Sequence, residues 1–177
     1  MDDQKLWSIF SSVDNDRNGQ ITSEELQFAL RNTDYSNFNQ ETCRLLVNMF
    51  DQDHSGTISF EEFRSLWKYI LDWQRCFQSY DQDRSGSIDS RELHAALYSF
   101  GFNLSPRLIN ILILKYDTKG NGSKIMAGNG SITFDNFIQT CVTVKNLTDS
   151  FRRFDTDNDG WINIAYESFI ELVMGNK

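Results

Sequence analysis

Three stretches of this chain set oxygen-bearing side chains at intervals that suit a hard divalent cation: DNDRNGQITSEE from Asp14, DQDHSGTISFEE from Asp51 and DQDRSGSIDSRE from Asp81. Calcium takes about six to eight oxygens, and a twelve-residue loop supplies them from positions 1, 3, 5, 7, 9 and 12, with glycine at position 6 for a sharp turn. The first stretch offers Asp14, Asp16, Asn18, the Gln20 carbonyl and a bidentate Glu25 around Gly19. The second offers Asp51, Asp53, Ser55, the Thr57 carbonyl and Glu62 around Gly56. The third offers Asp81, Asp83, Ser85, the Ser87 carbonyl and Glu92 around Gly86, and its extra acid at position 9, Asp89, ranks it tightest. Average residue usage brings this pattern together at roughly one position in a million. Solvated surface acids do not account for three occurrences in one chain.

Two further stretches depart from the pattern. In DTKGNGSKIMAGNGSITFDN, from Asp117, eight extra residues part the front ligands from the back, Lys119 sits near a ligand position and Asn136 replaces the clamp. This loop is expected to be empty. DTDNDGWINIAYE keeps Asp155, Asp157, Asp159 and the Trp161 carbonyl around Gly160, but its twelfth position is Tyr166. Without a bidentate group it is expected to hold calcium weakly, to accept magnesium with retained waters, or to hold no ion.

Apolar residues recur at helical spacing around each loop, as in Leu6, Phe10 and Val13 before the first and Leu26, Phe28 and Leu30 after it, so each unit reads as helix, loop, helix. The fold class is all-α, an array of five such units. Loop starts lie 37, 30, 36 and 38 residues apart, and removing the eight-residue insertion turns the last interval into a short one. Spacing therefore alternates. The 18 residues from Phe63 to Tyr80 contain no Gly or Pro and predict one helix roughly 27 Å long, shared by the second and third units. Val142 to Phe154 reads as a second shared helix. FGFNLSP breaks the stretch from Leu93 to Tyr116, and Asn32 to Asn39 is a polar break between the first two units.

Calcium loops work in pairs, because position 8 forms a short antiparallel β-bridge to its partner and satisfies both backbones. Those residues are Ile21, Ile58, Ile88, Ile132 and Ile162. The spacing pairs the first with the second and the third with the fourth. Ile162 and the helix YESFIELVMG are left without a mate, and a second chain related by a two-fold axis is the economical solution. Ile162, Phe169, Ile170, Leu172 and Val173 are the candidate dimer contacts.

Net charge is −8, with 25 acids against 17 bases, which repels nucleic acid and anionic lipid; no nucleic-acid partner is expected, and membrane association only indirectly or with calcium. Cys43, Cys76 and Cys141 read as reduced core residues. MDDQKLWSIF lacks the basic flank of a signal peptide, and no stretch reaches 18 apolar residues, so a soluble cytoplasmic chain is expected. Asn129 and Asn146 then open only chance glycosylation triplets. His54 and His94, the two histidines, stand in no nucleophile motif, and no phosphate loop or zinc spacing occurs; an enzyme is not expected.

Phe63, Trp67, Ile70 and Trp73 lie along one face of the shared helix. An aromatic-lined groove there would suit polyproline II ligands, which lose little entropy on docking; ordinary core packing is the alternative. In sensors, moving the clamp glutamate shifts the exiting helix and opens such a groove. Three bound ions would bring the formal charge to about −2.

With these loops, and with WKYILDWQ at Trp67 to Gln74 and LTDSFRRFDTDNDGWI at Leu147 to Ile162, the chain resembles the penta-EF-hand family over its whole length, and most closely the group of the apoptosis-linked calcium sensor and peflin. The resemblance implies one domain over 1–177 with loops at 14–25, 51–62, 81–92, 117–136 and 155–166. It implies a homodimer, or a heterodimer with another such chain, formed through the fifth hand. It implies a calcium-dependent adaptor for proline-rich partners in membrane trafficking, membrane repair or cell death, recruited to endosomal or ER membranes. It also places Tyr166 with Phe63, Trp67, Ile70 and Trp73 near a peptide pocket. Three departures stand out: the Gly/Pro-rich tail of the family is not in this sequence, the fourth loop carries its insertion, and Asn103 stands where the nearest relative has arginine. A calcium buffer, or a regulatory subunit of a calpain-type protease, remains as the alternative reading.

Overall fold

The computed structural model describes residues 3–117 and 130–175. Helix α1 spans Asp3–Val13, α2 Ser23–Ala29, α3 Gln40–Phe50, α4 Phe60–Tyr80, α5 Ser90–Ser99, α6 Pro106–Tyr116, α7 Phe134–Arg152 and α8 Tyr166–Gly175; the strands are β1, Ile88–Asp89, and β2, Ser131–Ile132. Two compact units divide the chain at Met1–Gln139 and Thr140–Lys177. Lys119 and the body of the fourth-loop insertion, 118–129, lie outside the described residues.

Local chemistry starts each helix where the sequence places it. Thr22, Ser59 and Asp89 cap α2, α4 and α5, and in each case the glutamate three residues later accepts a hydrogen bond from the backbone N–H of the cap residue. This reciprocal arrangement satisfies two of the backbone donors that a helix start leaves free. Ser105 caps α6, with Pro106 in the first turn where its missing N–H costs nothing. The shared helix α4 runs unbroken for 21 residues between the second and third loops, and α7 runs from the fourth loop towards the fifth.

Position-8 isoleucines pair as the spacing requires. Ile21 and Ile58 exchange backbone bonds of 2.8 Å each way, and Ile88 stands opposite Ile132 in the β1–β2 ribbon. All four are fully buried. Among the described residues Ile162 has no bridge partner.

The first unit is held by aromatic packing. Phe10 meets Phe63 edge-on at 5.4 Å, and Phe77 meets Phe134 at 5.3 Å and Phe137 at 5.6 Å. A buried ring of this size contributes roughly 1.5–3 kcal/mol over its exposed state. The periodicity after the first loop overstates α2: the helix ends at Ala29, Leu30 turns extended, and Phe28 is 70% exposed rather than core. Cys43 and Cys141 are buried as expected, whereas Cys76 is only half-buried.

Candidate metal loops and an exposed fifth hand

In each of the first three loops the carboxylates converge. Asp14, Asp16 and Glu25, then Asp51, Asp53 and Glu62, then Asp81, Asp83 and Glu92 each bring one oxygen within 4.8 Å of the others. The backbone does the positioning. Asp51 accepts from the amides of Ser55, at 3.0 Å, and Gly56, at 2.8 Å, and the same bonds recur at Asp14 and Asp81. The Ser85 hydroxyl lies 2.9 Å from the Ser87 carbonyl, so the fifth- and seventh-position oxygens face the same centre as the acids. Such a concave set of hard oxygens matches calcium in donor type and number.

The position-12 glutamates carry a second role. Glu62 accepts from the Gln52 amide at 2.8 Å through one oxygen, and from the Ser59 amide at 2.8 Å and hydroxyl at 2.7 Å through the other. Glu25 takes the Asn15 and Thr22 amides, and Glu92 those of Gln82 and Asp89, in the same way. One carboxylate thus fastens the front of its loop to the first turn of the exiting helix. Burial pushes the Glu62 carboxyl up, but the hydrogen bonds from Ser59 and Gln52 outweigh it and hold the group below its usual range. Glu25 is depressed by the same balance, its donors being Thr22, Asn15 and Asp16. At Asp51 burial is likewise outweighed by the Gly56 and Ser55 amides.

Asp89 does not join the third cluster. Its carboxylate caps α5 through the Arg91 and Glu92 amides, at 2.7 and 2.9 Å. Sequence pattern also missed the fourth position of the loops, where Arg17, His54, Arg84 and Asn158 all adopt positive φ of 56–59°. No residue type at that position announces it.

No convergent acidic group forms at the fourth loop among the described residues. Asn136 there is buried and its amide donates to the Tyr116 carbonyl at 2.9 Å and to Thr133 Oγ1 at 3.2 Å, so a neutral bond closes the hand. Next to it Asp135, 2% exposed, accepts from the Asn39 amide at 2.6 Å and donates its own amide to Asn32 at 3.0 Å. On the other side Thr33 bonds the Gly86 carbonyl of the third loop at 2.5 Å. The polar break after the first hand is therefore a strap joining the third loop to the start of α7. Sequence reading saw the break but not partners up to 103 residues away.

The fifth loop keeps half the machinery. Asp155, Asp157 and Asp159 converge, and Asp155 accepts from the Asp159 and Gly160 amides at 3.1 Å. Tyr166 is 79% exposed and Trp161 81% exposed. On α8, Phe169, Ile170 and Val173 are exposed, while Ile162 and Leu172 are half-buried.

The aromatic face of α4 splits. Phe63 and Ile70 are buried core, and the half-buried Trp67 and Trp73 flank them on opposite sides, Trp67 against Phe63 and Trp73 against Phe137 and Phe100. Tyr166 belongs to the second unit. The four α4 residues do not form one open stripe.

Comparison with known proteins agrees with this geometry. A family model described as an EF-hand domain pair matches residues 3–68 and 71–141, and a second model of the same description matches 128–173. Sorcin of Homo sapiens is 44% identical over 173 residues, covering 96% of this chain and 82% of sorcin. The chain belongs to the penta-EF-hand family. Peflin of Homo sapiens is 41% identical, and this penta-EF-hand chain spans 57% of its length. A solved homolog of programmed cell death 6 protein from Leishmania major Friedlin superposes with a TM-score of 0.78 at 30% identity, over 99% of this chain and 95% of that one. EF-hand pairs and convergent acidic groups together indicate calcium binding. No described helix is long and apolar enough to cross a membrane.

Proposed function

We propose that this penta-EF-hand protein is a calcium sensor and adaptor that dimerises through its fifth hand and recruits proline-rich partner segments when calcium rises. The observation that carries the reading is the double use of Glu25, Glu62 and Glu92, each a ligand candidate that is also bonded into its exiting helix. Bound calcium would supply two positive charges and a coordination demand of about six to eight oxygens to each loop. Asp14, Asp16, Asn18, the Gln20 carbonyl and Glu25 hold it in the first loop. Asp51, Asp53, Ser55, the Thr57 carbonyl and Glu62 do so in the second, and Asp81, Asp83, Ser85, the Ser87 carbonyl and Glu92 in the third. The fifth, with Asp155, Asp157, Asp159 and the Trp161 carbonyl, is a weaker site for calcium or magnesium.

Any displacement of the Glu62 carboxylate is a displacement of the first turn of α4, because Ser59 is bonded to it on two atoms. The far end of α4 leads directly into the third loop, so two sites act on one rigid rod. Trp67 and Trp73, the half-buried rings on that rod, are the peptide contacts this reading favours, with Phe63 and Ile70 as the floor behind them. Exposed Phe169, Ile170 and Val173 support association through α8, since an apolar helix face in water gains about 25 cal/mol per Å² on burial. Anisotropy of a labelled polyproline-rich peptide, titrated with the protein in calcium and in chelator, tests the adaptor. Binding only with calcium supports it; equal binding in both, or none in either, rejects it.

A further inference from the structure

Among the loop glycines with positive φ, Gly19, Gly56, Gly86 and Gly160, one is touched from outside its own loop. A Cβ placed on Gly86 would meet Thr33 Oγ1 at 2.9 Å and Thr33 Cβ at 3.3 Å, whereas the same position at the other three is open. The contact is a hydrogen bond: the Thr33 hydroxyl donates to the Gly86 carbonyl across 53 residues of sequence. Gly86 is thereby gripped on both sides, since its own amide donates to Asp81 at 3.0 Å. The peptide unit that carries this carbonyl is planar and also carries the Ser87 N–H, which donates to Ser85 Oγ at 3.3 Å. Ser85 Oγ in turn lies 2.9 Å from the Ser87 carbonyl. One bond from Thr33 therefore orients the peptide on which the fifth- and seventh-position oxygens of the third loop depend.

Thr33 is itself held in place by its neighbours. It sits in the turn 31–37, which is closed by the Asn32 amide on the Ser36 carbonyl at 2.9 Å, the Tyr35 amide on the Asn32 carbonyl at 3.0 Å, and the bridge between Arg31 and Asn37. On one side of it Asn32, 5% exposed, accepts from the Asp135 amide at 3.0 Å and donates to Ser36 Oγ at 3.1 Å and the Asn37 carbonyl at 3.3 Å. On the other, Asp34 accepts from the Ser36 amide at 3.1 Å and hydroxyl at 2.6 Å. These bonds close the turn without help from the third loop.

We propose that Thr33 is a positioning residue for the third calcium site, holding the Gly86–Ser87 peptide so that the ion meets the Ser85 and Ser87 oxygens already ordered. Its hydroxyl is spent on the Gly86 carbonyl and brings no charge to the loop. The effect is preorganisation: ordering that the strap supplies in advance need not be supplied by the ion. Because Gly19 and Gly56 have no outside neighbour at this place, the effect is confined to the third loop. The inference rests on the calcium reading of that loop and adds to it a residue from the strap between the first two hands.

Calcium titrated into the isotope-labelled full chain against a competing chelator tests it by nuclear magnetic resonance, the Gly19, Gly56 and Gly86 amides reporting the filling of one loop each. Thr33→Val keeps the shape of the side chain and removes the hydroxyl; Thr33→Ser keeps the hydroxyl. Losing one neutral hydrogen bond raises the third site's dissociation constant roughly three- to tenfold in Thr33→Val. The first two sites stay within about twofold of the parent, as sites without a shared partner do. Thr33→Ser restores the third. A general loosening of the fold would instead move all three sites together, and that pattern would overturn the proposal. So would a third-site constant unchanged in Thr33→Val, or Thr33→Ser behaving no better than Thr33→Val. A Gly86 amide in the parent that never responds to calcium would overturn the calcium reading of the third loop itself.

Discussion

Replacing Glu62 by glutamine keeps the side chain's shape and removes its charge, and its consequence without calcium follows from three bonds. Gln52 N–H, Ser59 N–H and the Ser59 hydroxyl all converge on the carboxylate at 2.7–2.8 Å. A primary amide offers one oxygen and one NH₂, so at least one of these donors faces another donor in a largely buried place. Leaving one such group unsatisfied costs about 1–3 kcal/mol. At roughly 2–4 °C per kcal/mol for a chain of this size, the melting temperature falls by about 2–12 °C. Calorimetry in chelator at neutral pH reads the fall directly, with no metal to complicate it. Glu61→Gln is the control: among the described residues Glu61 pairs with the exposed Arg64, and its loss stays within about 0.5 kcal/mol. A Glu62→Gln melting temperature within a degree of the parent in chelator would refute the idea that the clamp is built into α4.

Because the folded-state Glu62 carboxyl lies below its ordinary value of 4.5, its stabilisation is present above that pH and is lost as pH falls through the depressed value; acid titration of stability in chelator should be shallower in Glu62→Gln. Gly86→Ala sets a side chain at φ +77° with its Cβ 2.9 Å from Thr33 Oγ1, and should destabilise by about 1–2 kcal/mol in urea melts, part of it recovered with Thr33→Ala. Burial, helped by Asp135 and Glu24, pushes the Cys43 thiol up to about 12, so a thiol reagent at pH 8 should leave Cys43 unlabelled in the native protein and label all three cysteines after denaturation. Val173→Asp with Phe169→Asp should shift sedimentation from dimer to monomer while calcium titration in the first three loops is unchanged; a dimer that persists would count against α8 as the contact.

The loops and shared helices were legible because their signals are local. Glycine at position 6, glutamate at position 12 and an uninterrupted run between Phe63 and Tyr80 each act within one turn or one helix. The pairing of Ile21 with Ile58 and Ile88 with Ile132 also followed, since the alternating spacing leaves few ways to join the loops. What escaped the sequence was long-range and polar. Asp135 looks like any first-turn acid, and only the fold brings Asn32 and Asn39 to it. Spacing alone put four α4 residues on one helical face and left a groove and ordinary core packing both open; the fold divides them, since Phe63 packs on Phe10, Ile70 is enclosed, and the two tryptophans are left facing different surroundings. Asp89 shows the same limit in miniature, because a carboxylate at a loop's ninth position is equally a helix cap, and here the cap is what it forms.

Native mass spectrometry in calcium counts ions and chains in one particle. The account predicts two chains carrying three tightly held calcium ions apiece, one for each acidic group that contains a glutamate. A particle of one chain, or chains that retain fewer than three ions, would contradict it.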